Sequence, residues 1–543
     1  MKRNLKELKG IEHVHFVGIG GAGMSPLAKV LCELGYDVTG SDRSSSGVIE
    51  ALEQLGAKVS LGGQKAENVR GADAIVVSSA IPYDNPEVLA ARDLGIQKLH
   101  RSDINAALVN EYKGIAVTGS DRSSSGVIEA LEQLGAKVSL GGQKAENVRG
   151  ADAIVVSSAI PYDNPEVLAA RDLGIQKLHR SDINAALVNE YKGIAVAGSH
   201  GKTTTTSMLG VTLDAAGVSP TIVVGGEVPD LGTNAKVGTG DYLVSEADES
   251  DGTFLKLHPY IAVVTNVEDD HMDHYGTMEN IIKAFRQFIE NTAEQDGYAV
   301  LCFENKNLRD IAKTIDRKYY SYAIDEPADY QAKDIRAAGK GIQFDVYHGE
   351  EKLGHVTLNI PGRHNVLDAM ACIVTGLSIG VPFEKMAEGL AAFHGAKRRF
   401  QTKGHEQGIW VVDDYAHHPT EIAATLKAAK ETSPKRLICA FQPHRYSRTQ
   451  LLHEEFGKAF VDADILVLTD VYAAGEAPIP GISGETIKQE VERQTGANVI
   501  YIPKREDVAA KLKELAQDGD LVMTMGAGDI YKTSEELVAM LKK

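Results

Sequence analysis

Basic residues are outnumbered: 57 Lys and Arg face 75 Asp and Glu, for a net charge of −18. A nucleic-acid binder would normally be basic, so the balance argues against such a partner, and any anionic ligand must be met by locally concentrated cations. Cysteine is scarce. Cys32, Cys302, Cys372 and Cys439 lie far apart with no paired spacing, which gives no zinc pattern and fits a reducing cytosol. No run approaches the ~18 apolar residues of a membrane span. The opening Met1-Lys-Arg-Asn-Leu-Lys-Glu-Leu-Lys-Gly10 has no apolar core for a secretory leader. These absences point to a cytoplasmic protein with no membrane and no nucleic acid among its partners. Its 543 residues are enough for three or four domains with real cores.

The stretch that organises the rest is Gly198-Ser199-His200-Gly201-Lys202-Thr203-Thr204. Upstream, residues 193–197 read as a short buried strand; downstream, 205–213 read as a helix. Strand, glycine turn, Gly-Lys-Thr and helix form a phosphate-binding loop. Glycines let backbone N–H groups crowd around phosphate oxygens, and the helix N-terminus adds about half a positive charge. Lys202 would bridge the β- and γ-phosphates of ATP, and the Thr203 hydroxyl would ligate Mg²⁺. The bland alternative is a plain glycine turn before a helix.

Residues 39–117 recur without one change as 118–196, a period of 79 residues. A single identical pair is no solenoid. Either copy could complete the sheet begun by residues 1–38. Contiguity favours the first, leaving the second as a tethered half-domain with exposed sheet edges.

In chain order, His13–Val17 reads as a strand followed by Gly18, Gly20, Gly21 and Gly23, then a helix from about Ser25. A second strand, 36–39, ends in Gly40-Ser41-Asp42. This is the Gly-x-Gly-x-x-Gly fingerprint with an acid about 20 residues on, suited to NAD or to a nucleotide-sugar pyrophosphate. Ser78-Ser-Ala-Ile-Pro82 is a rim candidate or a turn. Strand 242–246 runs into Glu246-Ala-Asp-Glu-Ser-Asp251, and strand 261–266 into Val267-Glu-Asp-Asp-His271-Met-Asp-His274. Carboxylates and histidines at such strand ends suit Mg²⁺ beside ATP, though acidic loops are often only solvated. Pro361-Gly-Arg-His364-Asn365 opens an apolar helix that Asn365 could cap. Lys397-Arg398-Arg399-Phe400 is a basic hinge or a solvated run. The last segment repeats strand-then-loop-then-helix around His417, His418, Arg445, Arg448 and Asp529, which builds a parallel sheet.

Gly-Ser-His-Gly-Lys-Thr-Thr, Glu-Ala-Asp-Glu-Ser-Asp, Pro-Gly-x-His-Asn, Lys-Arg-Arg-Phe, Asp-Asp-Tyr-Ala-His-His-Pro-Thr-Glu-Ile, Phe-Gln-Pro-His-Arg-Tyr-Ser-Arg-Thr and Met-Gly-Ala-Gly-Asp-Ile occur in that order. Together they closely resemble the Mur ligase family, in its alanine-adding branch. The resemblance implies an α/β chain of three domains plus the repeat: 1–117, a Rossmann-like domain for a UDP sugar; 118–192, a duplicate of 39–113; 193–399, a P-loop ATPase-like domain; and 400–543, a Rossmann-like ligase domain. It implies that ATP phosphorylates the lactyl carboxylate of UDP-N-acetylmuramate and that the L-alanine amine then attacks the acyl phosphate.

By position, Gly198, Ser199, His200, Gly201, Lys202, Thr203 and Thr204 would hold the ATP phosphates, and His364 and Asn365 the nucleotide. Thr203 and Glu246 would ligate one Mg²⁺ and His271 a second. Arg399, Tyr415, His417, His418, Arg445 and Arg448 would clamp the substrate and acyl phosphate. Gly18, Gly20, Gly21, Gly23, Ser41 and Asp42 would hold the UDP sugar. Phe285 stands where related ligases carry a carbamylated lysine. A monomer or weak homodimer is expected. The alternatives are a recycling ligase that adds a tripeptide, an NAD-dependent dehydrogenase built on Gly18–Gly23, and a binding-competent but inactive variant.

Overall fold

The computed structural model describes residues 11–21, 24–78, 81–82, 84–100, 104, 117–121, 126–158, 160–293 and 296–542. The chain divides into two compact units, 1–179 and 180–543.

In the first unit, five parallel strands lie in the order Lys58–Leu61, Asp37–Asp42, His13–Val17, Ala74–Val77, Gln97–His100. The chain winds outward both ways from His13–Val17, so this strand's C-terminal end is the switch point where ligands collect in such sheets. Apolar clusters cover both faces, one around Phe16 and Val76 and the other around Val17 and Ile75. Burial on both faces explains the unbroken Ala74-Ile-Val-Val77 run. Gly40, Ser41 and Asp42, expected as a turn, continue the strand Asp37–Asp42. The reason is parallel pairing: Gly40 and Ser41 lie opposite Phe16 and Val17, and a Cβ at Gly40 would fall 2.6 Å from Ile19.

The repeated segment folds locally but pairs differently. Among the described residues, Thr118–Asp121 pairs only with Lys137–Leu140, and Ala153–Val156 only with Gln176–His179, as separate two-stranded sheets. Val155 is 54% exposed, whereas Val76, its counterpart in the first copy, is fully buried. The helix Arg180–Glu190, although part of the repeat, groups with the second unit.

The second unit holds a ten-stranded sheet and a six-stranded sheet. At the centre of the larger one, Tyr242–Glu246, Lys192–Ala197, Ile261–Val264 and Tyr298–Cys302 run parallel in that order. An antiparallel run of strands from Tyr330 to Leu358 extends it. The smaller sheet orders Gln401–Glu406, Ile409–Asp414, Leu521–Met525, Leu437–Phe441, Ile465–Leu468 and Ile500–Tyr501, parallel except for the first pair. Its two faces are covered by separate apolar clusters. Phe285 is buried in the core of the larger sheet, edge-on to Phe254. Among the described residues no helix is long and apolar enough to cross a membrane.

Candidate active site at the phosphate loop

The loop from Gly198 to Gly201 joins the strand Lys192–Ala197 to the helix Lys202–Ala215. Two glycines are required by geometry. Gly198 has φ +144°, and a Cβ there would lie 2.0 Å from Thr265 Oγ1; Gly201 has φ +83°, and its Cβ would meet Asp368 Oδ1 at 2.8 Å. The loop is pinned from the neighbouring strand end. Thr265 Oγ1 and Asn266 Nδ2 donate to the His200 carbonyl at 2.6 and 3.0 Å, and His200 N–H donates to Asn266 Oδ1 at 2.8 Å. The sidewall is therefore built by Thr265 and Asn266, which the sequence reading passed over as the end of a strand.

Lys202 Nζ donates to the Gly198 carbonyl at 2.6 Å and pairs with Glu249 Oε1 at 2.7 Å. Burial works against its charge, but Glu249 outweighs it and raises the ammonium above its ordinary pKa. Glu249 Oε1 also lies 3.6 Å from His271 Nε2, so Lys202, Glu249 and His271 form one chain of contacts. Glu246 sits opposite Val196 in the parallel register, one strand from the loop. Its Oε2 lies 2.6 Å from where a Gly225 Cβ would be, and Thr203 Cγ2 lies 3.4 Å from a Cβ at the adjacent Gly226. Glu246 and His271 are thus both within a side chain's reach of the cradle.

Glu246 Oε1 is buried without a hydrogen-bond partner, as is Glu249 Oε2. Buried carboxylate oxygens left unpaired are costly, and a cation beside Thr203 would satisfy the first. Among the described residues no three His, Cys, Asp or Glu side chains gather as a ready-made metal cage.

A cavity of about 270 Å³ adjoins the loop, lined by His200, Gly201, His364, Asn365, Asp368 and Arg399 among others. His364 and Asn365 lie in the first turn of the helix Arg363–Ser378. Asn365 does not cap it; Nδ2 donates to the Pro361 carbonyl at 2.6 Å and fixes the preceding turn. Burial lowers the His364 pKa to about 4, keeping it neutral, and raises that of Asp368 to about 7 even though Thr205 Oγ1 donates to it at 2.9 Å. Asp368 lies one helical turn after His364 on the same face. That spacing could have singled it out.

The C-terminal sheet supplies the other wall. Both guanidiniums lie over the Tyr415 ring, at 5.0 Å for Arg398 and 5.1 Å for Arg399, but Arg399 lines the cavity while Arg398 bonds Asp413 Oδ2 and the Gly528 carbonyl at 3.0 Å each. His417 Nδ1 bonds the Tyr415 carbonyl at 3.1 Å, and burial lowers its pKa to about 3, so the imidazole is neutral. His418 caps the helix Pro419–Glu431. Arg448 lies 3.9 Å from Asp270 and 3.3 Å from His444 Nδ1, near the histidine end of the ATPase-like part. Arg445, with φ +72°, bonds Glu476 at 2.7 Å. Ser199 Oγ accepts from Glu268 N–H at 2.9 Å, and Thr204 lines the cavity.

In the first unit, Gly18 takes φ +78° and Gly20 N–H donates to Asp42 Oδ2 at 2.9 Å, so fingerprint and acid meet. Gly21 N–H returns to the Gly18 carbonyl at 3.1 Å. Ser41 is buried and donates to Glu87 Oε2 at 2.7 Å, beneath rather than on the rim. Gly23, Ser79 and Ala80 lie outside the described residues.

Comparison with known proteins places the chain in a family. The chain matches the Mur ligase middle domain over residues 196–376, the Mur ligase glutamate ligase domain over 398–528, and the Mur ligase family catalytic domain twice, over 13–113 and 105–192. It is 42% identical to the UDP-N-acetylmuramate–L-alanine ligase of Pelotomaculum thermopropionicum, covering 98% of each chain. It is 48% identical to that of Desulforamulus reducens, over 81% of this chain and 95% of that one. The crystal structure of UDP-N-acetylmuramate–alanine ligase MurC from Thermotoga maritima is similar at 25% identity and TM-score 0.55, covering 98% of this chain and 99% of that one. A murein peptide ligase from Psychrobacter arcticus shares the fold at 23% identity and TM-score 0.52, over 98% and 99% of the two chains. With the Lys202 cradle, the acidic strand ends and the matches at all three segments, the chain belongs to the Mur ligase family of ATP-dependent ligases.

Proposed function

We propose that this chain joins L-alanine to UDP-N-acetylmuramate at the expense of ATP. The observation that carries the reading is the continuous contact from Lys202, which adjoins Thr203, through Glu249 to His271, with Glu246 on the neighbouring strand. A carboxylate is a poor electrophile until one oxygen becomes a phosphate leaving group. Phosphoryl transfer from ATP to the lactyl carboxylate yields ADP and an acyl phosphate; attack by the alanine amine forms the amide and releases inorganic phosphate. Both approaching groups in the first step are anions, so cations must offset their repulsion. Lys202 supplies one, held in the loop by Glu249. Thr203, Glu246 and His271 would hold Mg²⁺, which supplies further charge neutralisation at the phosphates. Arg399 and Arg448 bring positive charge from the C-terminal wall, and the neutral His417 adds no repulsion to an incoming ammonium.

The Gly18–Gly21 turn, with Asp42 fixed on Gly20, is the proposed UDP-sugar seat. Free Cys302, Cys372 and Cys439, all buried, fit work in the reducing cytoplasm. A monomer or weak homodimer is proposed. The repeat is read as an extra copy of 39–117 that can disturb the register of the UDP sugar with ATP.

The test is phosphate release from ATP in the presence of UDP-N-acetylmuramate and either L-alanine or a tripeptide, for the full chain and for one lacking 118–196. Alanine-dependent release supports the proposal; tripeptide-dependent release alone identifies a recycling ligase instead. Equal rates with and without 118–196 refute functional harm from the extra copy, and a faster shortened chain supports it.

A further inference from the structure

We infer that Glu421 is a positioning residue, which clasps the phosphate loop to the C-terminal wall through His200. The two residues are 221 positions apart, yet His200 Nδ1 lies 3.1 Å from Glu421 Oε1, and His200 Nε2 lies 3.4 Å from Glu268 Oε2. The imidazole therefore bridges a carboxylate from the phosphate-loop side and one from the helix Pro419–Glu431. The other oxygen of Glu421 accepts the backbone N–H groups of His417 and His418 at 3.0 and 3.3 Å. One carboxylate thus sets both the loop and the histidine turn facing it. The His418 ring sits 5.0 Å from that of His200. Burial opposes a charge on His200, but Glu268 and Glu421 outweigh it and raise its pKa to about 10, so the bridge is ionic at neutral pH. Burial likewise opposes a charge on Glu421, yet the protonated His200 and the Arg399 guanidinium hold its pKa well below the ordinary carboxylate value.

This inference rests on the ligase reading. Glu421→Gln keeps a neutral acceptor for the His417 and His418 N–H groups but loses the ionic bridge. The expected result is ATP affinity within about threefold of the parent and kcat lower by about 10–100-fold, as a small displacement of reacting groups produces. His200→Gln with Glu421→Gln should be no worse than about twofold below the weaker single variant, because both remove one contact. A parental kcat in Glu421→Gln, or losses that multiply in the double variant, overturns the clasp. A parent chain with no turnover overturns the ligase reading instead.

A second inference comes independently from the repeat. The geometry points to the second copy as an alternative seat for the strand His13–Val17. In the first copy that strand pairs on one side with Asp37–Asp42 and on the other with Ala74–Val77, with Phe16 opposite Gly40 and Val76. Residues 39–42 and Ala74–Val77 recur as Thr118–Asp121 and Ala153–Val156, and among the described residues each of these strands has a single pairing. The socket keeps its internal bonds: Ser120 Oγ and Asn147 Nδ2 meet Glu166 at 2.8 and 2.7 Å, as Ser41 and Asn68 meet Glu87 at 2.7 and 2.6 Å. In the first copy His15 of the strand stands 3.7 Å from Glu87, and among the described residues no strand takes that place in the second. Either arrangement carries one copy as an insertion, and the closure entropy of a long insertion changes slowly with its length.

Amide hydrogen exchange of residues 13–17 in the full chain reads which sockets work. Val76→Asp places a charge in the filled socket and Val155→Asp in the other. Exchange should stay within about tenfold of the parent in either single variant and accelerate by at least about 100-fold in the double. Val76→Asp accelerating exchange as much as the double variant overturns the second seat. No ligase activity enters this readout.

Discussion

Lys202 is buried against Glu249, and replacing it has two separable consequences. Lys202→Met should lower kcat by about 10²–10³-fold, since it removes a charge aimed at the transferring group. It also strands Glu249, and breaking a buried pair costs about 3–5 kcal/mol. Pairing it with Glu249→Gln should restore the thermal midpoint but not the turnover, which melting and phosphate-release assays separate. His200 carries a pH signature. Its folded pKa of about 10 lies above the ordinary 6.5, so its stabilisation is complete below pH 6.5 and is lost as pH rises through 10. Urea unfolding at rising pH should show that loss in the parent and a flatter profile in His200→Gln. At this scale the sequence was only partly legible. Lys202, Glu246 and His271 stood out because each lies at or just beyond the end of a strand. Of the adjacent arginines 398 and 399, nothing in the sequence marks which enters the cavity. Arg398 takes φ +60° and is drawn to Asp413, leaving Arg399 to line the cavity.

The element that matters most is the strand, loop and helix across residues 192–215. Its type was legible because buried parallel strands read as continuous apolar runs and glycine marks the turn. Its support was not, because Thr265 and Asn266 reach the loop from another strand. Gly198→Ala tests that support. Its Cβ would fall 2.0 Å from Thr265 Oγ1, so the loop must deform. ATP binding should weaken by more than about tenfold while the unfolding transition of the C-terminal sheet is retained, since the strain is local and of order 1–3 kcal/mol. Thr265→Ser in the same chain should recover little, because the clashing oxygen remains. Calorimetry with ATP measures both.

Across the whole molecule, the repeat shows why local sequence does not determine an element's environment. Val76 and Val155 stand in identical stretches, yet one is fully buried and the other 54% exposed. One N-terminal strand cannot fill two sockets, and the copy contiguous with it holds it. The three-segment organisation was legible through ordered motifs spread along the chain; the contact between His200 and Glu421 was not, because no local pattern encodes a pairing 221 residues apart. The central claim is that the sugar-linked carboxylate is activated as an acyl phosphate before the amine attacks. It is tested most directly with substrate whose lactyl carboxylate carries ¹⁸O. Transfer of one labelled oxygen into the released inorganic phosphate is the result expected. Phosphate carrying no substrate oxygen, its new oxygen drawn from water, would contradict the account.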